Sequence, residues 1–466
     1  MVFSLADEPL YRNLDRYKRA LADVNRVLER AGQTRGLTLS LANYQARELS
    51  PLRSADLKQA AENFSANIYY PFFKLRLAAL VEENQAPVIG FSLNFLSQAL
   101  PVFAMIGFCR QRWPELPLVV GGGLITSWAS RPGWRNPFSG LIDHLIAGPG
   151  EEPLLALLRP ASRTAFSQAE KVSPVKAGAA AFLPAGPGTK VWARPDYDDF
   201  SALPYLACGR ILPYAASSGC YWNRCSFCPE KAEGHPYCPR PSAAVLGDLA
   251  AFARDGSFAL LHLLDNALSP ARLRALIREP PGLPWYGFAR VDAELSEPDF
   301  CHGLRRAGCV MLKLGVESGD DGVLQTMGKG IGVERIARVL RNLGQAGIAT
   351  YVYLLFGTPG ENSAAARKTL EFTVRHAPWI SFLNLAIFNL PLYSRESLAL
   401  EVRDFYAGDL SLYGDFVHPL GWGRQAVRAF LDGEFRRHPA IAPILRRDPP
   451  FFSSNHAPFF TPALRF

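Results

Sequence analysis

"SSGCYWNRCSFCPE", residues 217–230, places Cys220, Cys225 and Cys228 within nine positions. Four residues separate the first pair and two the second. Three thiolates on one loop suit an iron–sulfur cluster or, with a further ligand, zinc. Structural zinc sites usually close with four ligands, often as two Cys-x2-Cys hooks. Here there is no second hook, although His235 and Cys238 are near enough in sequence to complete a zinc set. A 4Fe-4S cluster normally takes four cysteines. Held by three, it keeps one iron open to a small ligand.

The rest of the chain bounds what such a loop can belong to. Its 466 residues favour two or three domains. With 48% hydrophobic and 20% charged residues, the composition is that of an ordinary soluble protein. The net charge of +8 is spread along the chain, which leans towards anionic ligands. No groove-reading motif appears, so nucleic acid is not expected. The N-terminus lacks the apolar core of a signal peptide. Eight cysteines without an export signal point to a reducing, cytoplasmic setting. The five outside the loop (Cys109, Cys208, Cys238, Cys301 and Cys309) read mostly as packing residues. Residues 86–109, "APVIGFSLNFLSQALPVFAMIGFC", carry no charge and are long enough to span a bilayer. Pro87, Pro101 and the polar run of Ser92, Asn94, Ser97 and Gln98 make them a buried strand, a loop and a helix instead.

Upstream of the cysteines, "LDRYKRALADVNRVLERAG" (14–32) has helical periodicity and "LTLSLANY" (37–44) reads as a strand. Strands and helices then alternate, which predicts a parallel sheet covered by helices. Ligands of such sheets bind beyond the strands' carboxyl ends. The loops there are "SLNFLSQ" (92–98), "GGGLITS" (121–127) and "AGPGEEP" (147–153). Without a ligand they are simply tight turns. Residues 164–190, rich in Ala, Pro, Gly and Ser, read as a linker. Alternation resumes after the cysteines and predicts a full or partial strand–helix barrel, with its chemistry on the loops after the strands. The expected divisions are a helical extension (1–35), an α/β Rossmann-like domain (36–160), a linker (161–200), a barrel (201–390) and a mixed C-terminal region (391–466).

The cysteine loop after the first barrel strand resembles the radical S-adenosylmethionine (radical SAM) superfamily. The resemblance continues through "FALLHLLDNAL" (258–268), "WYGFARVDAEL" (285–295), "MLKLGVESGDDGVLQTMGKG" (311–330) and "GIATYVYLLFGTPGE" (347–361). The preceding domain resembles the doubly wound cobalamin-binding domain that many members carry, through "VIGFSLNFLSQALP", "PLVVGGGLITS" and "DHLIAGPGEEPLLALL". The usual cysteine spacing is Cys-x3-Cys-x2-Cys, so this loop has one extra residue, as a minority of members do.

The resemblance implies a partial (β/α)6 TIM-like barrel that binds a 4Fe-4S cluster through Cys220, Cys225 and Cys228. S-adenosylmethionine would chelate the open iron and yield a 5′-deoxyadenosyl radical. Phe227 would shield the cluster or simply pack in the core. Glu317 and Ser318 would bind ribose hydroxyls or the methionine ammonium; otherwise Glu317 forms an ion pair with Arg290 or Lys313. Asp265 and Asn266 would meet the amino group or cap a helix. Arg290 would pair with the methionine carboxylate or serve in a structural ion pair, and Tyr353 would face the adenine. In the first domain Gly121, Gly122 and Gly123 would let the cobalamin tail lie on the backbone, with Ser92, Asn94 and Ser97 lining the cleft. There is no Asp-x-His-x-x-Gly signature, so no histidine is expected under cobalt, and Asn94, Phe95 or Leu96 would cover that face. His144 reads as buried structure. His418 and His456 are either substrate-pocket groups or packing residues.

The activity implied is a cobalamin-dependent methyl transfer to an unactivated carbon or phosphorus. The same machinery could instead cyclise, oxidise or rearrange a substrate, and a zinc-stabilised binding protein is the reading from another class. The partners implied are a small-molecule or peptide substrate and an electron donor such as flavodoxin or ferredoxin, with a monomeric, oxygen-sensitive enzyme and no membrane span.

Overall fold

A computed structural model describes residues 8–11, 13–158, 181–184, 192–403, 405, 407–448 and 457–461. Two parallel sheets organise it, as the alternation of strands and helices predicts. Helix α1 (Leu14–Gln33) begins where the Asn13 side chain accepts from the Arg16 amide at 3.0 Å. The next segment departs from expectation. It is an antiparallel hairpin of β1 (Leu37–Ser40) and β2 (Asn43–Ala46), separate from both parallel sheets. Its turn at Leu41 and Ala42 carries neither Gly nor Pro, so the sequence reads straight through it.

The N-terminal sheet runs β3 (Ile89–Ser92), β4 (Leu118–Gly121), β5 (His144–Ala147) and β6 (Ala181–Pro184), all parallel and in sequential order. Helices α2 (Ser54–Glu62), α3 (Tyr70–Asn84), α4 (Leu96–Arg112), α5 (Gly123–Ala129) and α6 (Glu151–Leu158) accompany it. Leu57, Phe103, Ile106, Leu118, Val120 and Trp128 form its dry core. The uncharged stretch 86–109 is thus β3, a loop and α4. Among the described residues no helix is long and apolar enough to cross a membrane.

The second sheet has six parallel strands: β7 (Ile211–Tyr214), β10 (Leu260–Leu268), β11 (Trp285–Ala289), β12 (Cys309–Glu317), β13 (Ala349–Phe356) and β14 (Phe382–Ile387). They neighbour one another in chain order, the arrangement of a partial barrel. Between β7 and β10, the two-residue strands β8 (Ser217–Ser218) and β9 (Cys238–Pro239) pair antiparallel and close the base of the cysteine loop. Helices α7 (Ser242–Asp255), α8 (Pro270–Arg278), α9 (Pro298–Arg306), α10 (Asp321–Thr326), α11 (Val333–Gln345) and α12 (Ser363–His376) follow the strands. Several have side-chain caps; Asp320, for example, accepts from the Val323 amide at 3.0 Å.

Strand alternation separates two surfaces. Leu212, Leu261, Leu263, Trp285, Leu312, Leu314, Val352 and Leu354 point to the helices and form the largest core. The opposite residues, among them His262, Tyr286, Phe288, Lys313, Tyr351 and Tyr353, line the lumen. Its amino end is plugged by Met311, Ala349, Phe382 and the tail segment Ala457–Phe460. The expected tail residue His456 lies outside the described residues. Its neighbour Ala457 packs at the lumen's closed end, away from the strands' carboxyl ends.

Candidate active site

The cysteine loop is built on the strand ends beneath it. Buried Asp265 accepts from the Ala216 amide at 3.0 Å and from the Ser217 hydroxyl, fixing the loop's base. Asp265 is therefore a structural clamp on β10 in this structure. Asn266, the next residue, is exposed at the barrel mouth, beside Glu230. Gly219 turns the chain at φ +69°, and a Cβ there would lie 2.4 Å from the Pro236 carbonyl oxygen. Within the loop Asn223 adopts φ +43°, a left-handed conformation that Asn tolerates.

The other side of the loop is strapped to residues 327–330. The Ser226 amide donates to the Met327 carbonyl at 2.9 Å, and Trp222 Nε1 donates to the Gly328 carbonyl at 3.0 Å. Gly330 has to be small, because a Cβ there would sit 2.2 Å from the Trp222 ring. Phe227 packs on Val323 and Met327 beside Leu355. It serves as the loop's apolar anchor.

The three thiols are free and half-buried, and Cys220 lies close enough to Cys225 and Cys228 to help raise their pKa values, which burial raises most. Burial holds Cys225 up, while the cations of Lys329 and Arg290 oppose it. At Cys228 burial is opposed by the Lys231 and Glu230 amides of the following helical turn. Positive charge is therefore placed where a thiolate set would need compensation. Among the described residues no three His, Cys, Asp or Glu side chains converge as ligands for one ion. The two further donors of the zinc alternative are engaged otherwise: His235 Nδ1 is 3.1 Å from Glu230 Oε1, and Cys238 lies in the small hairpin.

Arg290 and Glu317 meet through Lys329, which the sequence reading did not single out. Arg290 Nη2 donates to the Lys329 carbonyl at 2.6 Å; its guanidinium lies 4.0 Å from the Trp222 ring centroid. Its Nη1 is 4.0 Å from Cys225 Sγ and its Nε 3.7 Å from Asp292. Asp292 also accepts from Tyr221 of the cysteine loop. Lys329 Nζ donates to Glu317 Oε1 at 2.7 Å. Glu317 thus pairs with Lys329, in place of the expected Arg290 or Lys313, because residues 327–330 fold back over the end of β12. Glu317 itself has φ +66°, where β12 slips register against β13. A non-glycine residue held there marks strain of the kind found at functional sites. Ser318 turns away from the mouth, fully buried against Thr369 at 3.1 Å. Tyr353 lies deeper in the lumen, 5.1 Å from Phe288 and 4.8 Å from Tyr351 between ring centroids.

In the N-terminal sheet the expected cleft residues cluster at the carboxyl ends. Asn94 Oδ1 accepts from the Gly123 amide at 2.8 Å, and Asn94 Nδ2 donates to Ser92 Oγ at 3.1 Å. Gly122 has φ +105°, and a Cβ there would meet the Leu93 carbonyl at 2.6 Å. That glycine is demanded by the protein's own backbone. Gly121 and Gly123 are less crowded, and Ser97 lies in the first turn of α4. Phe95 is 66% exposed at the same edge, an apolar side chain left open to solvent. His144 lines a small cavity with Pro87, Val88 and Pro117, at the amino end of the sheet. Buried His418 is committed to structure: its Nε2 is 2.9 Å from the Thr358 carbonyl and its Nδ1 accepts from the Leu420 amide.

Fold and loop define the class: a parallel α/β sheet domain joined to a parallel partial barrel with a three-thiol loop after its first strand. Residues 214–373, most of the barrel, match the model of the radical SAM superfamily. The wider arrangement is shared with solved structures at low identity. One, of the cobalamin-dependent S-adenosylmethionine radical enzyme OxsB with aqua-cobalamin bound, matches with TM-score 0.61 and 15% identity, over 80% of this chain and 61% of that one. Another is the radical S-adenosylmethionine methyltransferase TsrM from Kitasatospora setae with tryptophan and aza-SAM. It matches with TM-score 0.54 and 18% identity, over 75% of this chain and 76% of that one. TsrM with cobalamin and a 4Fe-4S cluster gives TM-score 0.51 and 21% identity, over 71% of this chain and 66% of that one. The chain spans about three fifths of the OxsB chain. No curated protein matches significantly.

Proposed function

We propose that this chain is a cobalamin-dependent radical SAM enzyme, most simply a methyltransferase acting on an unactivated carbon or phosphorus. The observation that carries the reading is the joining of two mouths. Ser127, on the helix that follows the three glycines, hydrogen-bonds at 2.6 Å to Glu233, just past the third cysteine. This contact brings the glycine edge of one sheet next to the thiol loop of the other, as cofactors facing each other would require.

The residues fit the groups they would hold. Cys220, Cys225 and Cys228 would bind a 4Fe-4S cluster, with Arg290 and Lys329 offsetting its negative charge. Glu317, steadied by Lys329, keeps acceptor capacity for ribose hydroxyls or an ammonium. Arg290 is already committed to Trp222 and to the Lys329 carbonyl, so it would hold the cluster loop more than it would clamp a carboxylate. Asn266 offers an exposed amide at the mouth. On the facing sheet, Gly121 and Gly123 leave the backbone approachable and Phe95 would cover an apolar macrocycle. When bound, the cluster with S-adenosylmethionine supplies a 5′-deoxyadenosyl radical and cobalamin supplies a methyl carrier, chemistry that belongs to the cofactors. The chain's own part is to bind them, orient them and keep water from the space between.

The test is iron, sulfide and cobalt content after anaerobic purification with cobalamin supplied. About four irons per chain with one cobalamin supports the reading. Four irons without cobalamin removes methyl transfer through cobalamin. Zinc without sulfide overturns the enzyme reading. Product analysis then separates methylation from cyclisation, oxidation or rearrangement.

A further inference from the structure

Lys313 sits on the inward face of β12, two pleats below Glu317. It is 4% exposed, and no carboxylate among the described residues reaches it. Its Nζ lies 5.4 Å from the Tyr286 ring centroid and 5.1 Å from that of Phe288. Phe288 and Tyr351 are its direct neighbours across the sheet. Beyond Tyr286 the ring of His262 stacks at 4.2 Å, nearly parallel. Burial alone lowers the Lys313 pKa, to about 8. Burial, and after it the Lys313 charge, lowers the His262 pKa to about 3. The other charged groups nearby are spoken for or distant. Glu317 is held by Lys329. The charge of Asp448 is felt by Tyr351 and Tyr353 but does not contribute at Lys313.

A buried ammonium without a counter-ion is costly, and aromatic faces offset only part of that. Evolved barrels keep such a charge where a ligand completes it. Two and three strands away, towards the β7 edge of the sheet, the inward face is open rather than packed. Pro213 is exposed and Leu264 is 47% exposed, both on inward positions of β7 and β10. We propose that Lys313 is the anchor for a substrate carboxylate, and that the substrate is a monocarboxylate whose apolar or aromatic body fills the lumen. A carboxylate suits the site better than a phosphate. Among the described residues one cation faces the space, with no cradle of backbone amides or second base of the kind phosphate sites use. Lys313 and Glu317 are four residues apart on one strand, roughly 13 Å at strand rise. A ligand anchored at Lys313 would therefore present atoms well along its body to the mouth where the cysteines lie. This inference rests on the lumen being the substrate cavity of the proposed enzyme.

The test uses the full chain, reconstituted anaerobically, with indole-3-acetate and 4-phenylbutyrate as carboxylate probes and their amides as uncharged controls. Binding is followed by calorimetry in the wild type and in Lys313→Met, which keeps the length and removes the charge. The expected result is carboxylate binding to the wild type, at least tenfold weaker in Lys313→Met, with the amides weak in both. Carboxylates that bind both proteins alike, or no carboxylate binding at all, overturn the proposal. A second readout is independent of ligand: without probe, Lys313→Met should have the higher Tm, because an uncompensated charge is lost. A lower Tm would mean that the lysine is already satisfied and would overturn the anchor. Iron content separates the two readings. Lys313-dependent binding in a wild type that assembles no cluster would keep the anchor and discard the radical enzyme. A loaded cluster without such binding would do the reverse.

Discussion

Ser127 Oγ lies 2.6 Å from Glu233 Oε1, across 106 positions of chain. The same carboxylate accepts from Tyr393 at 3.1 Å and faces His235 Nδ1 at 3.6 Å. One nearly buried acid thus ties the glycine-edge helix, the cysteine loop and the C-terminal region together. Removing it takes the carboxylate acceptor from Tyr393 and leaves Ser127 with the Gly123 carbonyl, 3.0 Å away. Glu233→Ala should cost about 2–3 kcal/mol in urea denaturation, and Ser127→Ala about 1 kcal/mol. In the double variant the losses should be less than additive, since both report one contact. Full additivity would show that the two residues are not coupled.

Cys225 is the thiol nearest to positive charge, with Arg290 Nη1 at 4.0 Å and Lys329 close by. Its backbone carries little of the loop's support, which comes from Asp265, Trp222 and Ser226. Cys225→Ala should therefore fold normally, with an unchanged far-UV circular dichroism spectrum, and lose the bulk of its iron and sulfide. Wild-type iron and sulfide in that variant would remove Cys225 from the ligand set.

The strands were legible because buried parallel strands write themselves as apolar runs bounded by glycine and proline. The three cysteines and Glu317 were legible because they fall at strand ends, where such sheets do chemistry. Lys329 was not. Its role comes from residues 327–330 folding back over β12, a long-range contact signalled only by the flanking Gly328 and Gly330. Asp265 reads from the sequence as a ligand contact or a helix cap, and only the fold shows it turned to Ser217 and the Ala216 amide. The inward direction of Lys313 is in principle readable from alternation with Glu317, but its lack of a counter-ion among the described residues is not. The β1–β2 hairpin was missed because its turn lacks turn residues.

The Lys329–Glu317 pair is nearly buried, with side-chain exposures of 7% and 11%. Breaking such a pair from one side leaves an uncompensated charge and costs about 3–5 kcal/mol, whereas removing both partners costs much less. Lys329→Met should therefore lower stability more than Lys329→Met with Glu317→Gln. If the lysine also offsets the cluster's charge, Lys329→Met should shift the cluster's reduction potential downward, because positive charge nearby favours the reduced, more negative form, and the double variant, which also removes the Glu317 charge, should shift it less. Chemical denaturation and anaerobic redox titration check the two parts. An unchanged potential would confine Lys329 to a structural role.

Glu361, in the loop after β13, is fully buried. Its Oε2 accepts from the Gly357 amide at 2.5 Å and from Trp422 Nε1 at 3.0 Å, while its Oε1 has no partner. Burial raises its pKa from 4.5 to about 7, against the pull of those two donors. Between pH 4.5 and 7 the native state thus keeps a proton that the unfolded chain has lost. Stability should fall as pH rises through that window and stay lowered above it, by on the order of 3 kcal/mol from this group. Glu361→Gln keeps the acceptor and removes the titration, so it should be more stable than the wild type at pH 8 and nearly equal to it at pH 4.5. Urea midpoints for the two proteins across that range check the claim. Parallel curves would mean that Glu361 is already ionised in the native protein at the acid end.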